Sequence, residues 1–305
     1  MAELIDISDI DIVFISYDEP NADKNWIELK KIAPWAKRVH GIKGSDSSHK
    51  EAAKISETER VITVDGDNQI NSDFLDQTLK LNDVNFDHVF SWRSLNVINN
   101  LYYGNGGIKC WPVKYIMNMN SHENSLDNNP ASKIEFCWQN NYTQMFNIYS
   151  KTHINGSAYQ AWRAGYREGI KLVLNKGNKP NKENFLDEVY KRNLDIIKIW
   201  MTIGYDVPNG EYAMLGARQG LYDLMIEEID YTNVYNFDWL MYRFESYNYN
   251  NDIIPHLENL GNNLSQYLDI NVPVFDKNQS LFFKNYYKIP KNKEFMLTER
   301  ESVFL

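Results

Sequence analysis

The chain has 305 residues, of which 43% are hydrophobic, 24% charged and 14% aromatic; this is the make-up of a protein that buries a full core, and it excludes a disordered, collagenous or disulfide-rich class. A net charge of −9 argues against a protein whose main task is to grip nucleic acid electrostatically, while leaving room for a local basic groove. The acidic opening Met1-Ala2-Glu3-Leu4-Ile5-Asp6 is unlike a secretory signal, and no run of about eighteen apolar residues occurs, so a cytoplasmic protein with no membrane partner is expected.

In chain order, Ile10 to Ser16 reads as a strand, and 23–36 as a helix with Trp26, Leu29 and Ala33 on one stripe. A second strand follows at 38–42, then a helix at 47–59 with Ala52, Ala53 and Ile55 inward. A third strand, Val61-Ile62-Thr63-Val64, leads into Asp65-Gly66-Asp67-Asn68; a helix at 73–81 and a strand at 88–92 complete four units. Alternating strands and helices predict a doubly wound, mostly parallel sheet whose ligands bind beyond the carboxyl ends of the strands. Tyr17-Asp18-Glu19 and Asp65-Gly66-Asp67 both lie at such ends.

From 94 to 158 the pattern is irregular, with Gly104-Asn105-Gly106-Gly107, and a long irregular stretch points to functional loops. Helices are expected at 159–174, 184–203, 211–230 and 239–246; in the second of these Leu186, Val189, Tyr190, Leu194, Ile197, Trp200 and Met201 keep three-and-four spacing. The segment 176–180 is the expected boundary between a domain of residues 1–175 and a mainly helical region of 176–305. Cys110 and Cys137 lack Cys-x-x-Cys spacing and read as buried free thiols. The Asn-x-Ser/Thr triplets at Asn141, Asn155, Asn263 and Asn278 mean little in a chain that is not secreted.

Two aspartates at a strand end, separated by a glycine, suit a hard divalent cation that takes its other ligands from phosphates and water. The competing account is a polar turn, which Asp, Gly and Asn favour anyway. An EF-hand loop is excluded by Ile70 and Asp76 at its Gly and Glu positions. A haloacid-dehalogenase-type phosphatase fits poorly, because Gln69 stands where its motif carries Thr or Val and two strands precede the motif.

With the sheet, the Asp-x-Asp and the glycine loop placed in that order, the chain resembles a GT-A glycosyltransferase over residues 8–160. The strings Tyr103-Gly104-Asn105-Gly106-Gly107-Ile108-Lys109-Cys110-Trp111-Pro112 and Tyr159-Gln160-Ala161-Trp162-Arg163-Ala164-Gly165-Tyr166-Arg167-Glu168-Gly169 are similar to glycosyltransferases of tailed bacteriophages that modify hydroxymethylated pyrimidines in DNA. The resemblance implies a GT-A (Rossmann-like) α/β fold with a helical C-terminal extension. It also implies a nucleotide-sugar donor, UDP-sugar first, and Mn²⁺ or Mg²⁺ at Asp65 and Asp67. The acceptor it implies is 5-hydroxymethylcytosine in DNA, receiving glucose or arabinose, in the host cytoplasm if the enzyme is phage-encoded.

It further implies a third metal ligand late in the domain, His153, with His122 as competitor and a surface-loop histidine as the plain account. Tyr17 and Asp18 fall where the family binds base and ribose. Gly106 and Gly107 would let backbone approach a sugar, and no Gly-Lys-Ser/Thr follows to make a P-loop. Lys109 and the pair Arg163 and Arg167, four apart on one helical face, are candidates for the diphosphate, against the default of solvated cations. If the reaction inverts the anomeric centre it needs a carboxylate base, for which Glu123 and Glu135 are candidates and Asp127 a further option. The densest basic stretch is Lys171, Lys176, Lys179, Lys182, Lys191 and Arg192, and a DNA acceptor would need such a face.

The alternatives are a glycan or protein acceptor, a metal-dependent phosphatase or nucleotidyltransferase, and a non-catalytic sugar-binding protein, since fold alone does not secure function.

Overall fold

The computed structural model describes residues 3–104, 106–136, 141–249 and 252–287. Cys137 and Asn105 lie outside the described residues. The chain divides into two compact units, the first made of 1–97, 102–126 and 135–153, the second of 98–101, 127–134 and 154–305. The segment 176–180 falls inside the second unit.

The strands of the first unit are β1 (Glu3–Asp6), β2 (Asp11–Ser16), β3 (Lys37–His40), β4 (Arg60–Asp65), β5 (Asn68–Ile70), β6 (Thr78–Leu81), β7 (Val89–Asn96), β8 (Ile108–Pro112) and β9 (Tyr142–Thr152). Its helices are α1 (Ala22–Ile32), α2 (Ser45–Ile55) and α3 (Val113–Asn118). β1 and β6 form a separate antiparallel pair, and the other strands form a seven-stranded sheet in the order β3-β2-β4-β8-β7-β9-β5.

The β2/β3, β2/β4 and β7/β9 pairings are parallel, whereas β4/β8, β7/β8 and β5/β9 are antiparallel. The sheet is therefore mixed, which corrects the expectation of a mostly parallel one. The insertion of β8 between β4 and β7, running against both, and the antiparallel edge strand β5 are the cause.

Period-two alternation builds the two faces. Ile12, Phe14, Ile62, Val64, Phe90, Trp92, Ile108 and Cys110 pack with Ala22 and Leu29 of α1. Val13, Val61, Val89 and Trp111 pack on the other face with Ala52 and Ala53 of α2 and Ile116 of α3. The helix expected at 73–81 is a 3-10 turn, Ser72–Phe74, followed by β6. There Leu79 and Leu81 are buried and Thr78 and Lys80 exposed, which is a strand's alternation.

The second unit holds α4 (Ala158–Lys171), α5 (Phe185–Glu188), α6 (Lys191–Thr202), α7 (Gly210–Tyr222), α8 (Phe237–Ser246), α9 (Ile254–Leu268) and α10 (Lys277–Tyr287). Ser157 caps α4 by accepting from Gln160 N at 3.1 Å, and Gln160 Oε1 accepts from Gly156 N at 2.8 Å, a variant of the capping box. The expected helix 184–203 is broken between α5 and α6, with Leu186 and Tyr190 exposed and not in the core. The expected 211–230 helix is α7 followed by a π-turn, Asp223–Glu227, that ends at Glu228 in the left-handed region.

Arg218 of α7 is fully buried, and its guanidinium donates to the carbonyls of Met201, Leu257 and Pro273. Burial pushes its pKa down to about 10, so it stays charged at neutral pH. Among the described residues no helix is long and apolar enough to cross a membrane.

Candidate active site at the carboxyl ends of the strands

β4 ends at Asp65, and Gly66 and Asp67 form a turn before Asn68 opens β5. The alternation that would project two carboxylates from one continuous strand thus stops at Asp65. Asp65 and Asp67 are both partly exposed, whereas Gly66 and Asn68 are buried.

Three contacts hold the turn. The buried Asn25 of α1 donates through Nδ2 to Gly66 O at 3.0 Å. Asp65 N donates to Gly107 O at 2.9 Å, and His153 N donates to Asp67 O at 2.7 Å. Gly66 has no room for a side chain, since a Cβ would lie 2.7 Å from Glu19 Oε2 and 3.0 Å from Ser16 Cβ.

Glu19 is a carboxylate at the site that sequence reasoning did not assign a role. Its Oε2 accepts from Tyr17 N at 2.8 Å and so shapes the loop after β2. Tyr17 and Asp18 are exposed on that loop.

His153 lies beyond β9, opposite Asp67, because Asn68 pairs with Thr152 in the β5/β9 ladder. Its Nε2 is buried without a hydrogen-bond partner. Burial, then the charges of Lys24 and Lys151, lowers its pKa, which leaves the ring neutral as a metal ligand must be. Among the described residues no group of three Asp, Glu, His or Cys side chains converges as a cation cage. Two partly exposed carboxylates still fit Mg²⁺ or Mn²⁺, which keep water and phosphate ligands for the rest of their shell. The donor set therefore suits such an ion, with Asp65 and Asp67 as the residues that would hold it.

Lys109 is 6% exposed, and its Nζ donates to Gly106 O at 2.8 Å. Its ammonium lies 5.7 Å from the Phe136 ring, and no carboxylate pairs with it among the described residues. A buried ammonium carries three donors and ordinarily has an anionic partner.

Gly106 and Gly107 have an internal reason to be glycine. A Cβ on Gly106 would overlap Trp92 O, and one on Gly107 would overlap Asn68 Nδ2. The space that a side chain would take at each is filled by the protein's own chain.

Glu123 is engaged elsewhere. Its Oε1 accepts from Ser45 N at 3.0 Å and its Oε2 from Asp46 N at 3.2 Å, so it caps α2. Glu135 is partly buried next to Phe136, and His122 is buried with its ring 5.7 Å from that of Phe136. Asp127 belongs to the second unit, as do Arg163 and Arg167. Both arginines lie over the Phe237 ring, Arg163 at 4.1 Å and Arg167 at 5.9 Å, and Arg163 also faces Tyr159 at 5.3 Å.

The histidine that shares an electrostatic environment with Asp65 is His49 of α2, which sequence reasoning missed. It is 6% exposed between Phe136 and Trp111, its Nδ1 donates to Ser45 O at 2.7 Å, and its Nε2 has no partner. Burial pushes its pKa down, opposed by Asp65 and the Ser45 carbonyl. An i to i+4 bond on a helix leaves no spacing signal that would have singled it out. No family model, no curated protein and no solved structure matches this chain.

Proposed function

We propose that the chain is a metal-dependent glycosyltransferase that moves a sugar from a nucleotide-sugar, UDP-sugar first, to a hydroxyl acceptor. The observation that carries this reading is the placement of Asp65 and Asp67 at the carboxyl end of a central strand, near the end of its parallel neighbour β2 and its Tyr17-Asp18-Glu19 loop. Brought together, these ends form the usual ligand position of an α/β sheet.

A bound Mn²⁺ or Mg²⁺ supplies Lewis-acid stabilisation of the leaving diphosphate. Asp65 and Asp67 hold the ion. Lys109, a buried ammonium with one of its three donors directed at Gly106 O, offers the others to phosphate oxygens. Tyr17 and Asp18 face the base and ribose from an exposed loop. If the anomeric centre inverts, a carboxylate takes the acceptor proton, with Glu123 and Glu135 as the candidates. The acceptor we assign is 5-hydroxymethylcytosine in DNA, on the strength of the similarity of the two strings 103–112 and 159–169 to phage enzymes.

The test is mass spectrometry of nucleosides from hydroxymethylcytosine DNA incubated with the protein, Mn²⁺ and mixed nucleotide-sugars. A pentose or hexose increment that Asp67→Ala abolishes is expected. Metal-dependent release of nucleoside diphosphate without that increment would retain the transferase and discard DNA. Phosphate release with no sugar donor present would replace the transferase by a phosphoryl-transfer enzyme.

A further inference from the structure

We propose that Asn68 is a positioning residue that holds the Asp67 carboxylate in the orientation needed to bind the divalent cation. This rests on the reading of Asp65 and Asp67 as cation ligands. Asn68 is 2% exposed at the start of β5, and its Nδ2 donates to Asp67 Oδ1 at 2.7 Å.

The other end of the same amide meets three hydroxyls. Ser94 Oγ and Ser150 Oγ each lie 3.0 Å from Asn68 Oδ1, and Thr152 Oγ1 lies 3.2 Å from it and 2.5 Å from Ser94 Oγ. An amide oxygen has two lone pairs. The arrangement closes if Ser94 and Ser150 donate to them and Thr152 donates to Ser94.

The orientation of the amide follows without ambiguity. A carboxylate only accepts, so the NH₂ end must face Asp67, whereas hydroxyls serve as donor or acceptor and adapt to the oxygen end. Asp67 thus has Oδ1 tied to a buried amide, which restrains its rotamer and would hold the carboxylate in place for a cation.

Two features of the backbone exist in support of this amide. The β7/β9 register shifts twice, between Trp92 and Arg93 and between Arg93 and Ser94; the second shift brings Ser150 opposite Ser94. Gly107 leaves the volume the amide fills, since a Cβ there would overlap Nδ2 and lie 2.6 Å from Cγ. The same glycine accepts from Asp65 N through its carbonyl, so one residue braces both aspartates. The partners that orient metal ligands ordinarily change cation affinity by about 10- to 100-fold when removed.

The experiment titrates Mn²⁺ alone into the full chain and reads free and bound ion by electron paramagnetic resonance. Unfolding midpoints in EDTA are measured alongside. Asn68→Ala is expected to weaken Mn²⁺ by about 10-fold or more and to alter the spectrum of the bound ion. Should Asn68→Ala not fold, the triple change Ser94→Ala, Ser150→Ala, Thr152→Val keeps the amide but frees it to turn, and is expected to weaken Mn²⁺ by several-fold. Wild-type affinity and spectrum in a folded Asn68→Ala, or in the triple variant if it alone folds, overturn the proposal. If wild type and Asp67→Ala bind Mn²⁺ equally, the cation reading itself is lost, a result distinct from loss of the Asn68 role alone.

Discussion

Glycine and aspartate do different work in the two units. In the helical unit, Gly165 and Gly169 of α4 lie against the backbone of Ala213 and Ala217 on α7, and Gly216 and Gly220 of α7 lie against that of Trp162 and Tyr166. Four missing side chains bring two helices into backbone contact. In the sheet unit, Gly106 and Gly107 make room for a strand and a polar amide.

The aspartates differ in the same way. Asp223, fully buried, accepts from Tyr166 Oη at 2.6 Å, Arg243 Nη2 at 2.6 Å, Gln219 Nε2 at 2.7 Å and the Tyr247 hydroxyl. Asp65 and Asp67 are partly exposed. Asp223 is thus enclosed by four side-chain donors, whereas Asp65 and Asp67 stand at a strand end with part of their surface in water.

The largest effect should come from breaking the closed aspartate. Asp223→Ala strands Arg243 and two tyrosine hydroxyls, and urea unfolding should show a loss of about 3–5 kcal/mol. Asp65→Ala, in the open class, should stay within about 1 kcal/mol of wild type. Equal losses would erase the distinction.

Next in size is the helix seam. Gly165→Ala or Gly216→Ala drives a methyl into a carbonyl oxygen of the facing helix, and a loss of about 3 kcal/mol in the same unfolding assay is expected. A neutral result would mean that α4 and α7 separate without cost.

The smallest effect is a pH dependence from the sheet unit. His49 and His153 both have pKa values pushed below the ordinary 6.5, chiefly by burial. A group with a depressed folded pKa contributes its full stability above the unfolded pKa and loses it as pH falls. Stability should therefore decline below about pH 6.5, by at most about 1.4 kcal/mol per pH unit per histidine. Urea midpoints at falling pH would show it, and His49→Gln should flatten the slope; an unchanged slope would remove His49 as its source.

What was legible in the sequence follows the local signals. β2 and β4 carry apolar runs and α1 an apolar stripe, and the Asp65–Asp67 turn sits where β4 predicts it. β8 and β9 were lost in the region read as irregular. β9 is 11 residues long but carries two shifts of register, so its alternation does not survive as a pattern. β1 was invisible because its partner β6 lies more than seventy residues away, Glu3 pairing with Leu81. The same distance hid Asn68. Its three hydroxyl partners are 26, 82 and 84 residues along the chain, and only strand pairing brings them together. Gly165 and Gly169 bring α4 against α7, whose matching pair Gly216 and Gly220 no local pattern links to them.

Arg218 has a consequence for how this chain tolerates change. Each of its acceptors is a main-chain carbonyl, at the end of α6, in α9 and at Pro273, so no substitution in those three segments removes a partner's oxygen. Their side chains, Met201 and Leu257 among them, are held by core packing and not by this pin. Lysine cannot stand in, because a single ammonium does not span acceptors that a planar fork reaches in different directions. For these four hydrogen bonds, sensitivity to mutation is concentrated in the single codon of Arg218.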